Sequence, residues 1–163
     1  MIGSWARRGL CALAVLGAGL VPAFAGDSLY GRVTAVKEPT LVTLTYDTET
    51  PGQTGSYDIR LVGIDAPNPG EAHADEARQW ISNLLLNKNA RMRLHHRAPN
   101  GEMVCRLFTD DPVIGIEEVG VEMLRAGLAR RHEGYDEKYG ELAKAEAEAR
   151  AAQRGLWAPA ASK

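Results

Sequence analysis

YDIRLVGIDAPNPGE, residues Tyr57 to Glu71, decides how the rest of the chain is read. Tyr57, Ile59 and Leu61 alternate with Asp58, Arg60 and Val62, the period of a strand with one buried face. Gly63 interrupts the pattern, and the run from Asp65 to Gly70 contains two prolines, Pro67 and Pro69, which lack the N–H that a ladder needs. The strand therefore ends in a turn. Arg60 projects from it and Asp65 stands just past its end, where a rigid scaffold can present charge to a ligand.

Upstream, LYGRVTAV and TLVTLTY alternate as a hairpin around Lys37-Glu38-Pro39. The turn-rich stretch Asp47 to Gly55 then feeds the central strand, so three strands form a meander. Downstream, Ala77, Trp80, Ile81, Leu84 and Leu85 recur at helical spacing, with Lys88 and Asn89 as the expected helix stop. ARMRLHHR and EMVCRLF follow as two strands joined at Pro99-Asn100-Gly101, and Asp110-Asp111-Pro112 reads as another turn. Ile116 to Ala126 is expected to be a short helix ending at Gly127, with Leu128 to Arg131 a short strand. Tyr139, Leu142, Ala145, Ala149 and Ala152 mark the apolar face of a last helix that stops near Gly155, with Leu156 and Trp157 packing back. Five strands with a helix inserted after the third is the order of a five-stranded OB-fold barrel, so the fold class is α+β, mainly β barrel, with three helices.

At the N-terminus, Arg7 and Arg8 precede an apolar run from Gly9 to Val21 and then Ala23-Phe24-Ala25. This is the pattern of a secretory signal, too short to span a bilayer of about 30 Å. Cleavage is expected near Ala25, leaving a domain over residues 26–158, a tail over 159–163, no transmembrane segment, and a secreted or periplasmic location. Removing the two leader arginines shifts the formal net charge from −2 to −4. An acidic balance weighs against a nucleic-acid grip. Cys105 becomes the one cysteine left, which excludes an intrachain disulfide, and its strand-like surroundings predict a buried, inert thiol.

The run IRLVGIDAP resembles the strand-and-turn signature of the staphylococcal-nuclease-like (thermonuclease) family. VEMLRAGLARR and KYGELAKAEAEARAAQRGLWA resemble that family's connecting helix and terminal helix, and the likeness runs from Leu29 to Ala158 in the expected order. It implies the barrel fold and a phosphodiester site using calcium, a carboxylate base and two phosphate-binding arginines. Residue by residue, the resemblance places the retained phosphate arginine at Arg60 and the retained metal aspartate at Asp65. Thr40 stands where a metal-binding carboxylate is expected, and Ala66 where a threonine is common. Asn68 replaces the base, and an amide cannot take up a proton at neutral pH. Glu102 replaces the second arginine and reverses its charge.

Glu71 could serve as a displaced base, or close a capping box with Asn68. Arg91, Arg93, His95 and Arg97 alternate on one expected strand face, so Arg91, Arg93, Arg97 and Arg106 are candidate anion-binding cations, or else a solvated face. His95 and His96 are expected on opposite faces. The substitutions imply a non-hydrolytic binding or structural module of the cell envelope, a pseudoenzyme with no cofactor. The alternative is a nuclease with a rearranged site on Arg60, Asp65 and Glu71, for which Ca2+ is the implied cofactor. The partners implied are nucleic acid or an envelope protein. Glu102 in place of arginine also predicts that Arg60 forks onto Glu102 or Asp65 where a phosphate would sit.

Overall fold

A computed structural model of the chain describes residues 28–111, 115–132, 134–135 and 140–159. The leader over 1–25, Pro112, Tyr139 and the tail from 160 lie outside the described residues.

The meander is present as β1 (Ser28–Glu38), β2 (Leu41–Asp47) and β3 (Thr54–Leu61), paired antiparallel in that order. The first turn is tighter than expected, since β1 runs through Glu38 and only Pro39 and Thr40 intervene. After β4 (Ile64–Asp65) and helix α1 (Ala74–Leu85), β5 (Asn89–Arg97) returns to pair with β1, and β6 (Met103–Asp111) pairs with β5. Closure comes from a parallel ladder between β3 and β6, in which Ile59, Arg60 and Leu61 lie beside Met103, Val104 and Cys105. The five strands β1, β2, β3, β5 and β6 thus form a closed mixed barrel with the helices outside it, the expected α+β architecture.

The period of two in these strands is what fills the barrel. Val33, Val42, Leu44, Ile59, Met92, Met103, Cys105 and Leu107 all point inward and are fully buried. Helix α1 lays Ala77, Ile81, Leu84 and Leu85 against this cluster. Each large aliphatic so placed is worth ~1.5–3 kcal/mol relative to an exposed one. The expected inert cysteine is here: burial pushes the Cys105 thiol up to about 12.

Four local expectations change. The α1 stop is not Asn89, which begins β5. Asn87 takes the left-handed conformation at φ 63°, and its N–H donates to the Val33 carbonyl at 2.8 Å, tying the helix exit to β1. Asp110 and Asp111 extend β6 instead of turning, because β7 (Gly115–Glu118) pairs back along Phe108 to Asp111. Ile116 to Glu118 are consequently strand, and helix α2 begins only at Val119 and ends at Arg125. The last helix, α3 (Glu141–Ala151), buries Leu142, Ala145 and Ala149 but leaves Ala152 exposed beyond its end.

The short strand β8 (Arg130–Arg131) pairs with β4, placing Arg130 beside Asp65 and Arg131 beside Ile64. Glu146 of α3 is buried and accepts the Arg131 backbone N–H at 2.9 Å, which fixes β8 against the helix. Leu156 donates its N–H to the Gly127 carbonyl at 2.9 Å. Gly127, at φ 74°, lies so close to the Arg154 carbonyl that no side chain fits there. The C-terminal turn is thereby held on the end of α2, with the Arg130 and Arg150 guanidiniums over the Trp157 ring at 5.3 and 4.3 Å.

Candidate functional site

The rim of the barrel beside β3 gathers the residues that the sequence singles out. Ile59 and Leu61 face inward, so Arg60 between them must face out. Two pairings then choose its neighbours. The β2–β3 register sets Leu41 beside Arg60, which brings up the Pro39-Thr40 turn. The parallel β3–β6 ladder starts one residue after Glu102, which brings up that carboxylate.

Arg60 grips Glu102 with both arms of its fork. Its Nε donates to Glu102 Oε2 at 2.7 Å and its Nη2 to Oε1 at 3.3 Å. Nη1 donates to Glu38 Oε2 at 3.2 Å and, more weakly, to Thr40 Oγ1 at 3.4 Å. The Glu102 backbone N–H donates to Asn100 Oδ1 at 3.1 Å, which positions the carboxylate. This arrangement has an electrostatic signature. The hydrogen bond from Arg60 holds the Glu102 carboxyl below its usual range, and Glu102 in turn raises the guanidinium above its own. The expected fork onto Glu102 is present; Asp65 is not its partner.

Asp65 sits at the end of β4 and pairs with His132, whose Nδ1 lies 2.8 Å from Asp65 Oδ2. Sequence reading missed this contact, because the β4–β8 ladder that brings the segments together joins residues 67 apart with no local signal. Glu38 on Arg60 was missed for a different reason: it reads as part of the hairpin turn, whereas β1 includes it.

Glu38, Thr40, Arg60, Asp65, Ala66, Asn68 and the intervening prolines line a cleft of about 180 Å³. Glu71 lines a neighbouring cleft of about 310 Å³ with Asp65, Ala66, Pro67 and Arg130. Its Oε2 accepts the Asn68 backbone N–H at 2.8 Å and its Oε1 the Asn68 amide at 3.3 Å. These bonds lower the Glu71 pKa, the backbone one most. The Asn68–Glu71 pair closes a turn and not a helix, since α1 starts at Ala74.

The donor set does not fit a calcium ion, which takes six to eight oxygens drawn largely from carboxylates. The cleft contributes two carboxylates, Glu38 and Asp65, and each is committed to a cation or an imidazole. No group of three or more His, Cys, Asp or Glu side chains converges for a metal among the described residues.

The other candidate cations do not form one face. A register shift between Leu94 and His96 inserts an extra residue into β5, so the alternation that runs through Arg91 and Arg93 breaks at His95. Arg97 then pairs with inward-facing Met103 and stacks over the Tyr57 ring at 5.7 Å. The same bulge brings His95 and His96 together, with their Nδ1 atoms 2.8 Å apart, where strict alternation would separate them. Arg106 is held by Glu118 at 2.9 Å and by Glu141 at 3.2 Å.

Compared with known protein families, residues 58–159 match the model of the staphylococcal nuclease homologue family. A probable endonuclease LCL3 of Verticillium alfalfae is 37% identical over 115 residues, covering 64% of this chain and 40% of that protein. The proteins of the same name from Colletotrichum graminicola and Paracoccidioides lutzii are 33% and 34% identical, covering 61% of this chain in both cases and 40% and 33% of themselves. This chain thus spans well under half the length of the curated relatives it matches.

Proposed function

The chain belongs to the staphylococcal nuclease homologue family, and from that premise we propose that its barrel has exchanged hydrolysis for a binding or structural role. The observation that carries this reading is the bidentate hold of Glu102 on Arg60. A phosphate approaching Arg60 must displace a carboxylate that already satisfies the fork, and it meets the negative charge of Glu38 as well. Asn68 supplies no base, and losing a positioned base costs ~10²–10⁴-fold. Losing an electrostatic stabiliser costs a further ~10²–10³-fold. On this reading the domain needs no resident metal, and the chain is exported after cleavage near Ala25 to act in the cell envelope. No helix among the described residues is long and apolar enough to cross a membrane. Intact-mass analysis of exported protein tests the processing step: loss of residues 1–25 is expected, and an exported chain that retains them would exclude it.

A second reading is a working nuclease with a rearranged site on Arg60, Asp65 and Glu71. The likeness to proteins named probable endonuclease favours this reading over the non-hydrolytic one. The side chains in the cleft argue the other way. A metal-titrated assay on single-stranded DNA and RNA separates them. The first reading expects no calcium-dependent turnover above background. Turnover that Arg60→Ala or Asp65→Ala abolishes would establish the second.

A further inference from the structure

A separate surface lies on the outer wall of β1 and β5, away from the Arg60 cleft. Tyr30 is 68% exposed, well above Leu86 at 39%, the other exposed large apolar side chain among the described residues. Its cross-strand partner is Arg91, and one step along the same face Ser28 pairs with Arg93. Directly opposed side chains have Cβ atoms about 5 Å apart, so the Tyr30 ring and the Arg91 guanidinium are neighbours. Arg91 and Arg93 are about 6.8 Å apart along the strand, two residues of rise.

Three other barrel arginines are bound to oxygen acceptors: Arg60 and Arg106 to carboxylates, and Arg32 through its Nε to the Asn87 carbonyl at 2.8 Å. Arg91 and Arg93 form no salt bridge among the described residues; Arg91 lies over Phe108 with its charge 4.7 Å from the ring centre and lines a cleft with Glu117, Glu118 and Glu141, the last two of which are held by Arg106. Beside Tyr30 the wall opens, because β1 leaves β2 before Arg32 while β2 continues to Asp47. The resulting groove, about 690 Å³, is lined by Tyr30, Arg32, Thr34, Thr45 and Asn89, with Asp47 its one acidic residue.

We propose that this strip, Tyr30 with Arg91 and Arg93 beside the β1–β2 groove, is a binding site for single-stranded nucleic acid, independent of the Arg60 cleft. An exposed aromatic face takes a base by stacking, which tolerates any sequence. Two guanidiniums without a salt bridge, spaced along one strand, take successive phosphates, and hydroxyl and amide side chains in the groove offer hydrogen bonds to the sugar and base edges. In a chain of net negative charge, Arg32, Arg91 and Arg93 here outnumber Asp47 and Glu117, the neighbouring carboxylates that no arginine holds, and the ring distinguishes the strip from a site for a sulfated polysaccharide, which has no base to stack.

The test is fluorescence anisotropy with labelled oligothymidylate on the full chain, in EDTA so that no cleavage intrudes. Binding is expected, weakened about five- to 150-fold by Tyr30→Ala and preserved by Tyr30→Phe. Replacing Arg91 and Arg93 together by Gln should lower the salt dependence, reducing the slope of log K against log salt by about 1.4. Arg60→Ala should leave affinity unchanged. Because Tyr30 is exposed, circular dichroism is expected to show every variant folded, and the Phe variant keeps the stacking test valid whatever the Ala variant does. No binding at low salt, equal binding of heparin, insensitivity to Tyr30→Ala, or loss of binding in Arg60→Ala would each overturn the proposal. The last outcome would place binding in the family cleft, and since no turnover is measured it leaves the hydrolysis question to its own assay.

Discussion

Along the ladder that closes the barrel, Ile59 and Leu61 turn inward and meet Met103 and Cys105, while Arg60, one residue from each, turns outward to Glu102. The inward set is apolar and at most 4% exposed. The outward set is charged, and on the reading proposed above Glu102 stands where the family resemblance implies an arginine. Because side chains alternate at a period of two, substitution on one face of a strand leaves the packing of the other untouched. A barrel can therefore persist while its site is rewritten, which is why fold and family follow from this chain more directly than activity does.

The sharpest way to break the comparison is to rewrite the rim back. On the proposed reading, Thr40→Asp, Asn68→Glu and Glu102→Arg together would supply the metal carboxylate, base and second cation that the family resemblance implies, without touching an inward residue. Calcium-dependent cleavage of single-stranded DNA should rise by at least the ~10²–10⁴-fold that a base alone contributes. Glu102→Arg with Asn68→Glu should raise affinity for a nucleotide bisphosphate before cleavage appears. If the triple variant folds but neither binds nor cleaves, the rim has diverged by more than these side chains.

The wall should respond in stability and not in ligand binding. Ile59→Ala removes a fully buried side chain and should cost ~2–5 kcal/mol, read from the urea midpoint. Cys105 gives a readout without mutation. With burial pushing its thiol up to about 12, it should resist alkylation at neutral pH until the barrel unfolds. Rapid labelling of the folded chain would show that the wall opens locally.

How much of this was legible from the sequence follows the same division. The inward residues announced themselves by period, so the meander, the closing strands and both long helices were readable. Ile116 to Glu118 were not, because one apolar residue followed by two glutamates is too short to show either period, and only the partner edge offered by Phe108 to Asp111 decides it. The bulge at His95 was invisible for a similar reason: one extra residue changes which face every later side chain occupies, with no local signature. At the rim, the Arg60–Glu102 pair was legible because charge reversal at a matched position demands a partner. His132 on Asp65 was not, since it depends on a two-residue ladder between distant segments.

The smallest effect tests whether the rim pair contributes stability as well as neutralising the cleft. Arg60 holds the Glu102 carboxyl below its ordinary range, so folding favours the ionised form. The sign follows by linkage: the contribution is fully present above the unfolded carboxyl value, about 4.3, and is lost as pH falls through the lower folded value. The raised value of Arg60 adds nothing in this window, because the guanidinium stays protonated throughout. Glu102→Gln should therefore be less stable than the parent at neutral pH and converge with it in acid. The Arg60 side chain is 36% exposed, so solvent screens the pair and the gap should be only ~0–1 kcal/mol. Asp58, whose carboxyl is lowered by its bond to Lys37, adds acid sensitivity of the same sign to both proteins and largely cancels in the difference, its weak repulsion of Glu102 being the smallest of the influences on that carboxyl. Urea midpoints for the two proteins between about pH 3 and pH 7 make the measurement. A gap that stays constant across that range would mean that the variant loses packing and not charge, and a gap that widens in acid would reverse the sign and exclude the pair as a source of stability.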